Sequence, residues 1–200
     1  MSARRETRER VVDAALRTLA AEGFAATSAR AIARRGGFAP GVIYYHFRDL
    51  HDLLLAALDR TSELRLARYR EELDGVAGAA ELARRLRALY AEDLADGHVA
   101  AVQELVAGAA SSPRLGAEIV RRLRPWLELT EEVSGRFVAG TPLEAVLPAP
   151  VVARLVLALY LGVETLTHLD RGSAPGDSLF DAAERAGVLF DTLLGGALER

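Results

Sequence analysis

The chain has 200 residues, 50% hydrophobic and 26% charged, which excludes a wholly disordered polymer and fits one sizeable domain or a small module joined to a larger one. All 25 basic residues are arginine, so the P-loop, protein-kinase and Schiff-base chemistries that need a lysine amine are excluded. With no cysteine there is no disulfide framework or thiolate metal site either. Charge is split unevenly: residues 1–50 carry nine arginines against five acids, a net of +4, and residues 51–200 carry 16 against 23, a net of −7. A basic head on an acidic body is the asymmetry expected when only one part meets a polyanion.

Helical periodicity dominates and no alternating strand pattern occurs, so the architecture reads as all-α. Val12, Ala15, Leu16 and Leu19 define a first helix from about Arg4 to Glu22, ended by Gly23. Thr27 is expected to cap a short second helix, Ser28 to Arg35, with Ile32 and Ala33 inward. Gly36-Gly37 breaks it, and Pro40 opens a third helix carrying Val42 to Phe47. Asp49 is placed to cap the next, about 50–72, and further helices are expected at about 79–95, 98–108 and 113–138, the last kinked at Pro125. The segment 151–169 is apolar nearly all round, so no face is expected for water, and Asp177 is expected to cap a final helix running to about Leu198. The charged amino terminus lacks the apolar segment of a signal peptide, and no run of 18 apolar residues follows. A soluble cytoplasmic protein is therefore expected.

The most informative stretch is residues 10–55, where two short helices meet across a glycine turn inside the basic part of the chain. Thr27, separated by four residues from Ile32-Ala33, then Gly36-Gly37 and Gly41-Val-Ile-Tyr44-Tyr45-His46-Phe47, closely resembles the DNA-binding region of tetracycline-repressor-like (TetR-type) transcriptional regulators. The segment from Val11 to Phe24 is similar to that family's first helix, so the resemblance covers about the first quarter of the chain. It implies an N-terminal three-helix helix-turn-helix module, residues 1–50, followed by a helical effector-binding and dimerisation domain, residues 51–200. It further implies that Thr27 and Arg30 address phosphate and groove edge, that Pro40, Gly41 and Val42 approach bases, and that Tyr44 gives its hydroxyl to phosphate, flanked by Tyr45 and His46. Two positions depart from the family pattern. Ala39 stands where a serine cap is usual, and Leu50 where a lysine usually meets phosphate, which shifts the electrostatic burden to Arg48, Arg30 and the amino-terminal arginines.

In the body, polar or aromatic residues on apolar segments are the expected lining of a small-molecule site: Tyr90, His98, Gln103, Trp126, Tyr160, Glu164 and His168, with Glu104 beside them. Each has an ordinary structural alternative in helix packing or intrahelical pairing. A two-fold seam is expected from Leu155, Leu159, Ala183, Ala186, Gly187 and Phe190, the small residues permitting close approach of helices. No zinc-binding histidine spacing and no G-x-S-x-G occurs, so neither a catalytic site, a metal nor a cofactor is expected. The expectation is a homodimeric regulator, most simply a repressor, that binds double-stranded operator DNA and a small-molecule effector and has no membrane partner. The alternative is a helical small-molecule-binding protein whose DNA binding is weak or lost.

Overall fold

The computed structural model describes residues 3–96, 98–110, 112–169 and 175–198. Among the described residues ten α-helices follow in order: α1 (Ala3–Ala26), α2 (Ala29–Gly36), α3 (Gly41–His46), α4 (Leu50–Leu73), α5 (Ala79–Ala95), α6 (His98–Ala109), α7 (Pro113–Arg122), α8 (Arg124–Val138), α9 (Ala149–Leu169) and α10 (Pro175–Leu198), with a 3-10 turn at Pro142–Ala145. Among the described residues there is no strand. Packing divides the chain into two compact units, one of residues 1–65 and 94–123, the other of 66–93 and 124–200.

In the first unit, Val11, Val12, Ala14 and Ala15 of α1 close over Ile32 and Ala33 of α2, Ile43 of α3, Phe47, and Leu53 and Ala57 of α4. The run Leu53-Leu54-Leu55 gives α4 two apolar faces: Leu54, Leu55 and Leu58 turn to Leu19 of α1, Ala101 and Leu105 of α6, and Leu115 and Ile119 of α7. The regular course of α1 breaks at Gly23, whose φ of +77° is open to glycine without a Cβ clash. The freed groups are taken up at once. Phe24 N–H donates to Glu104 Oε2 at 2.7 Å, and the Thr27 hydroxyl donates to Gly23 O at 2.6 Å.

That second bond corrects an expected cap. Because the buried Thr27 hydroxyl serves the kink, Ser28 caps α2 instead, its Oγ accepting from Ala31 N–H at 3.2 Å. Gly37, at φ +68°, closes α2 in the left-handed conformation. At the start of α4, Asp49 Oδ1 caps the helix by accepting the Asp52 N–H (2.7 Å), and Asp52 Oδ2 accepts the Arg48 N–H (3.1 Å). The single kinked helix expected over 113–138 is two helices, α7 and α8. Pro125 falls in the first turn of α8, where its missing N–H has no partner to lose.

In the second unit, Leu66, Tyr69 and Leu73 of α4 pack with Leu89 of α5 and Leu129 and Val133 of α8. Asp191 of α10 caps α5, accepting Ala79 N–H at 2.7 Å and Ala80 N–H at 3.1 Å. Asp177 is not the cap of α10; it lies inside the first turn and, with Asp181 and Glu184, faces Arg87. Nor does Gly187 face outward: a Cβ there would lie 2.5 Å from Ala80 N, so this glycine seats α10 on the start of α5 within one chain. Its place in an intersubunit seam is therefore corrected. Helix α9 does present an apolar face to water in the single chain, with Leu155 56%, Leu159 57% and Leu166 54% exposed.

Gly187→Ala should lower folding stability by about 1–3 kcal/mol, the usual cost of overpacking, despite alanine's better helix propensity. Urea unfolding monitored by circular dichroism measures it; an unchanged or raised midpoint would refute the close approach.

Candidate nucleic-acid interface

Helix α3 is only six residues long, yet its two sides differ sharply. Ile43 is fully buried and Phe47, four residues on, is 4% exposed, so this edge is anchored in the core beneath. Tyr44 and Tyr45 consequently point outward, 58% and 67% exposed, and Pro40 and Gly41 are exposed beside them. Val42 and His46 are half-buried. Exposed aromatics of this size, borne on a helix whose opposite edge is fixed, form a rigid rather than mobile face.

The arginines around this face fall into two groups. Arg35 and Arg34 are drawn to Glu22 at 2.9 and 3.8 Å, Arg48 to Asp52 at 3.4 Å, Arg114 to Asp49 at 3.6 Å, and Arg5 to Glu9 at 3.0 Å. Arg30 is exposed on α2 and makes no ion pair among the described residues. Arg4 and Arg8 lie over aromatic rings, Arg4 at 5.4 Å from the Tyr45 centroid and Arg8 at 4.9 Å from that of Phe47. Partial burial, together with these two guanidiniums, holds the His46 imidazole below its ordinary value and so favours its neutral form. The expected outward set is thus Arg30, Pro40, Gly41, Tyr44 and Tyr45, with Val42 and His46 at its edge. Thr27 departs from it: its side chain is buried and its hydroxyl proton is already given to Gly23 O.

The seven expected effector residues are distributed over both units. His98 and Gln103 belong to the first unit, where His98 Nδ1 meets the Thr61 hydroxyl and Gln103 is buried. Tyr90, Trp126, Tyr160 and Glu164 belong to the second. There Tyr90 meets Tyr160 edge-on, ring centroids 5.8 Å apart, and Phe180 at 5.6 Å, while its hydroxyl shares a 3.0 Å hydrogen bond with Thr167. Tyr160 reaches Asp93 at 3.5 Å; Tyr69 donates to the same carboxylate at 2.8 Å and stacks edge-on against Trp126. Desolvation raises the pKa of the Tyr90 phenol, with the Glu164 charge adding to it. The His168 side chain lies outside the described residues.

Sequence reasoning missed Asp93, Tyr69, Thr167 and Phe180 in this chain of contacts. Asp93 was findable, standing three residues after Tyr90 on the same buried edge of α5; the others read as ordinary packing residues. A cleft of about 340 Å³ lined by Arg70, Glu71, Asp74, Glu132 and Arg136 with Leu73 and Leu129 is too charged to suit an apolar ligand. Among the described residues no group of histidines or carboxylates is arranged to hold a metal ion.

Two helices joined by a glycine turn, the second short and outward-facing and set among arginines, define a helix-turn-helix DNA-binding protein. Residues 11–57 match the family described as bacterial regulatory proteins, tetR family. Over 160 residues the chain is 28% identical to the HTH-type transcriptional regulator UidR of Escherichia coli (strain K12), spanning 78% of this chain and 79% of that protein. Its fold is similar to that of the fatty acid degradation regulator FadR from Bacillus halodurans, with TM-score 0.73 and 19% identity, covering 90% of this chain and 93% of that one. It is also similar to that of FadR from Bacillus subtilis, solved in complex with stearoyl-CoA, with TM-score 0.68 and 20% identity, covering 88% and 95%. Residues 11–57 thus form a TetR-type helix-turn-helix DNA-binding module, and the chain is similar over most of its length to an HTH-type transcriptional regulator.

The folded pKa of His46 lies below the unfolded one, so the unfolded chain binds more protons once pH falls past the ordinary value of 6.5. Any stability this group contributes is present above that value and is lost as pH drops towards the folded pKa. An NMR titration of the His46 ring should show a midpoint below 6.5 that moves upward in Arg4→Gln, Arg8→Gln protein. An unmoved midpoint would remove the two arginines as a cause.

Proposed function

We propose that this protein is a cytoplasmic, homodimeric repressor that leaves its operator when a small molecule binds the body. Residues 1–50 act as the DNA-binding head and residues 51–200 as the effector and dimerisation domain. The observation that carries the DNA-binding part is the outward face of α3, two exposed tyrosines with Arg4 over Tyr45 and Arg8 over the adjoining Phe47, anchored by buried Ile43 and Phe47. Phosphate contacts from such groups position the protein, and Val42 and Gly41 at the start of α3 approach base edges.

Dimerisation is supported by apolar surface that a single chain leaves in water. On α9, Leu155, Leu159, Leu166 and Leu169 recur at helical spacing; on α10, Leu179, Ala183, Ala186, Leu189 and Leu193 do the same. Such stripes on two packed helices are covered by their own copies in a four-helix seam, with Phe190 half-buried at its margin. The stretch Ala149–Thr167 is also long and apolar enough to cross a bilayer. The fully buried Glu164 and the charged Arg154 within it favour packing against protein.

The effector reading rests on the buried polar and aromatic residues of the second unit and on the similar fold that holds stearoyl-CoA in the Bacillus subtilis regulator. Release follows if the ligand binds better when the heads are held away from the spacing of successive major grooves, about 34–36 Å. One observation favours a second reading, a ligand-binding protein with weakened DNA binding: Leu50 is half-buried against the apolar cores and offers no charge to phosphate. An electrophoretic shift with the gene's own upstream region separates the two.

Tyr44→Phe should weaken binding to all duplexes about equally, whereas Val42→Asn should change preference at one base pair by ~1–3 kcal/mol. Binding-site selection reads both, and the reverse pattern would overturn the two roles. Leu155→Arg with Leu159→Arg should give monomers by sedimentation at micromolar concentration, with operator binding abolished and the helical signal kept. A monomeric wild-type protein would refute the dimer.

A further inference from the structure

We propose that Arg4 and Arg8 form a second phosphate-binding edge beside α3, and that Tyr45 acts as the platform that aims Arg4 rather than as a hydroxyl donor to DNA. This rests on the DNA-binding reading above and says which residues supply its backbone charge.

Arg4 and Arg8 are one helical turn apart and so share a face of α1. That face lies against α3 and its C-terminal end, with Arg4 over the exposed Tyr45 ring at 5.4 Å and Arg8 over the largely buried Phe47 ring at 4.9 Å. Both arginines are exposed, and neither is engaged by a carboxylate among the described residues. Several other arginines of the head are committed to acids: Arg5 pairs with Glu9, Arg34 and Arg35 with Glu22, Arg48 with Asp52. Position 50 supplies no charge, since Leu50 packs into the apolar cores.

A guanidinium on an aromatic face keeps all of its N–H donors, which lie in its own plane, and is held with less rotamer freedom to lose when phosphate arrives. Tyr45 is 67% exposed, so its ring is not part of the core; it packs edge-on against the His46 ring at 4.9 Å and supports Arg4. The lowered pKa of His46 between the two is consistent with a concentrated positive potential at this edge. The same geometry has a plain alternative, in which the two pairs merely tie α1 to α3.

Backbone contacts do not depend on sequence, so a fluorescent mixed-sequence DNA duplex is a sufficient probe. Its affinity for the full-length protein is measured by anisotropy over a range of salt concentrations, with thermal melting in parallel. Arg4→Ala with Arg8→Gln should reduce the log–log salt slope by about 0.9 for each phosphate no longer neutralised. Tyr45→Phe should bind like wild type, Tyr45→Ala like Arg4→Ala, and the Arg4→Ala, Tyr45→Ala double variant no more weakly than either single one. An unchanged salt slope accompanied by a lower melting temperature shows a structural tie and overturns the proposal. Equal weakening in Tyr45→Phe and Tyr45→Ala overturns the platform role, because the hydroxyl then meets the phosphate. A wild-type protein that binds no duplex overturns both this and the DNA-binding reading. Normal slopes for duplex with no preference for the upstream region sink only the operator.

Discussion

The break in α1 at Gly23 is the constraint around which the first unit is arranged. A backbone that leaves the helical course exposes polar groups that must be satisfied where they are buried, and here two side chains supply the partners. Glu104 of α6 takes the Phe24 N–H, Thr27 takes the Gly23 carbonyl, and the displaced cap of α2 falls to Ser28. Gly108 completes the arrangement. A Cβ there would lie 2.6 Å from the Phe24 ring, so α6 approaches the end of α1 only because residue 108 has none. The orientation of α2, and through the turn at Gly37 that of α3, follows from where α1 stops.

That orientation decides which chemistry α3 can present. With Ile43 and Phe47 buried, Gly41, Tyr44 and Tyr45 face outward, while Val42 and His46 stay half-buried at the edge. The arginines nearby are sorted by the acids within reach of each. Those close to Glu9, Glu22 and Asp52 are neutralised on the protein surface, and those over Tyr45 and Phe47 keep their charge for an external partner. Net charge alone does not make this distinction, since every one of these arginines counts equally towards the basic head.

The second unit solves a different problem, the burial of carboxylates. Asp93 and Glu164 are both fully buried, a state that is costly unless hydrogen bonds and opposite charge compensate. Tyr69, Tyr160 and Arg68 all converge on Asp93. This places aromatic rings from α4, α5, α8, α9 and α10 in one contiguous set, and a polar, aromatic interior of this kind is unlike the Leu-rich core of the first unit. The opposite side of α9 and α10 is largely apolar, so one pair of helices serves an interior and an unpartnered face at once.

Much of this was legible in the residues themselves. Helix positions follow from apolar spacing and from glycine and proline, which act locally: Gly23, Gly37 and Pro40 end or begin elements through their own backbone preferences. The DNA-binding region was legible because its motif is contiguous in sequence, and the buried Ile43 and Phe47 follow from their four-residue spacing. What depends on distant partners was not legible. Thr27 was expected at a helix cap and on DNA, and Gly187 at a seam, because side-chain chemistry states what a residue is able to do. Only the fold decides which neighbour uses that capacity first. The same holds for the Arg4 and Tyr45 pair and for Asp93 with its tyrosines: each joins residues far apart in sequence, and no pattern along one helix specifies which face of another it will meet.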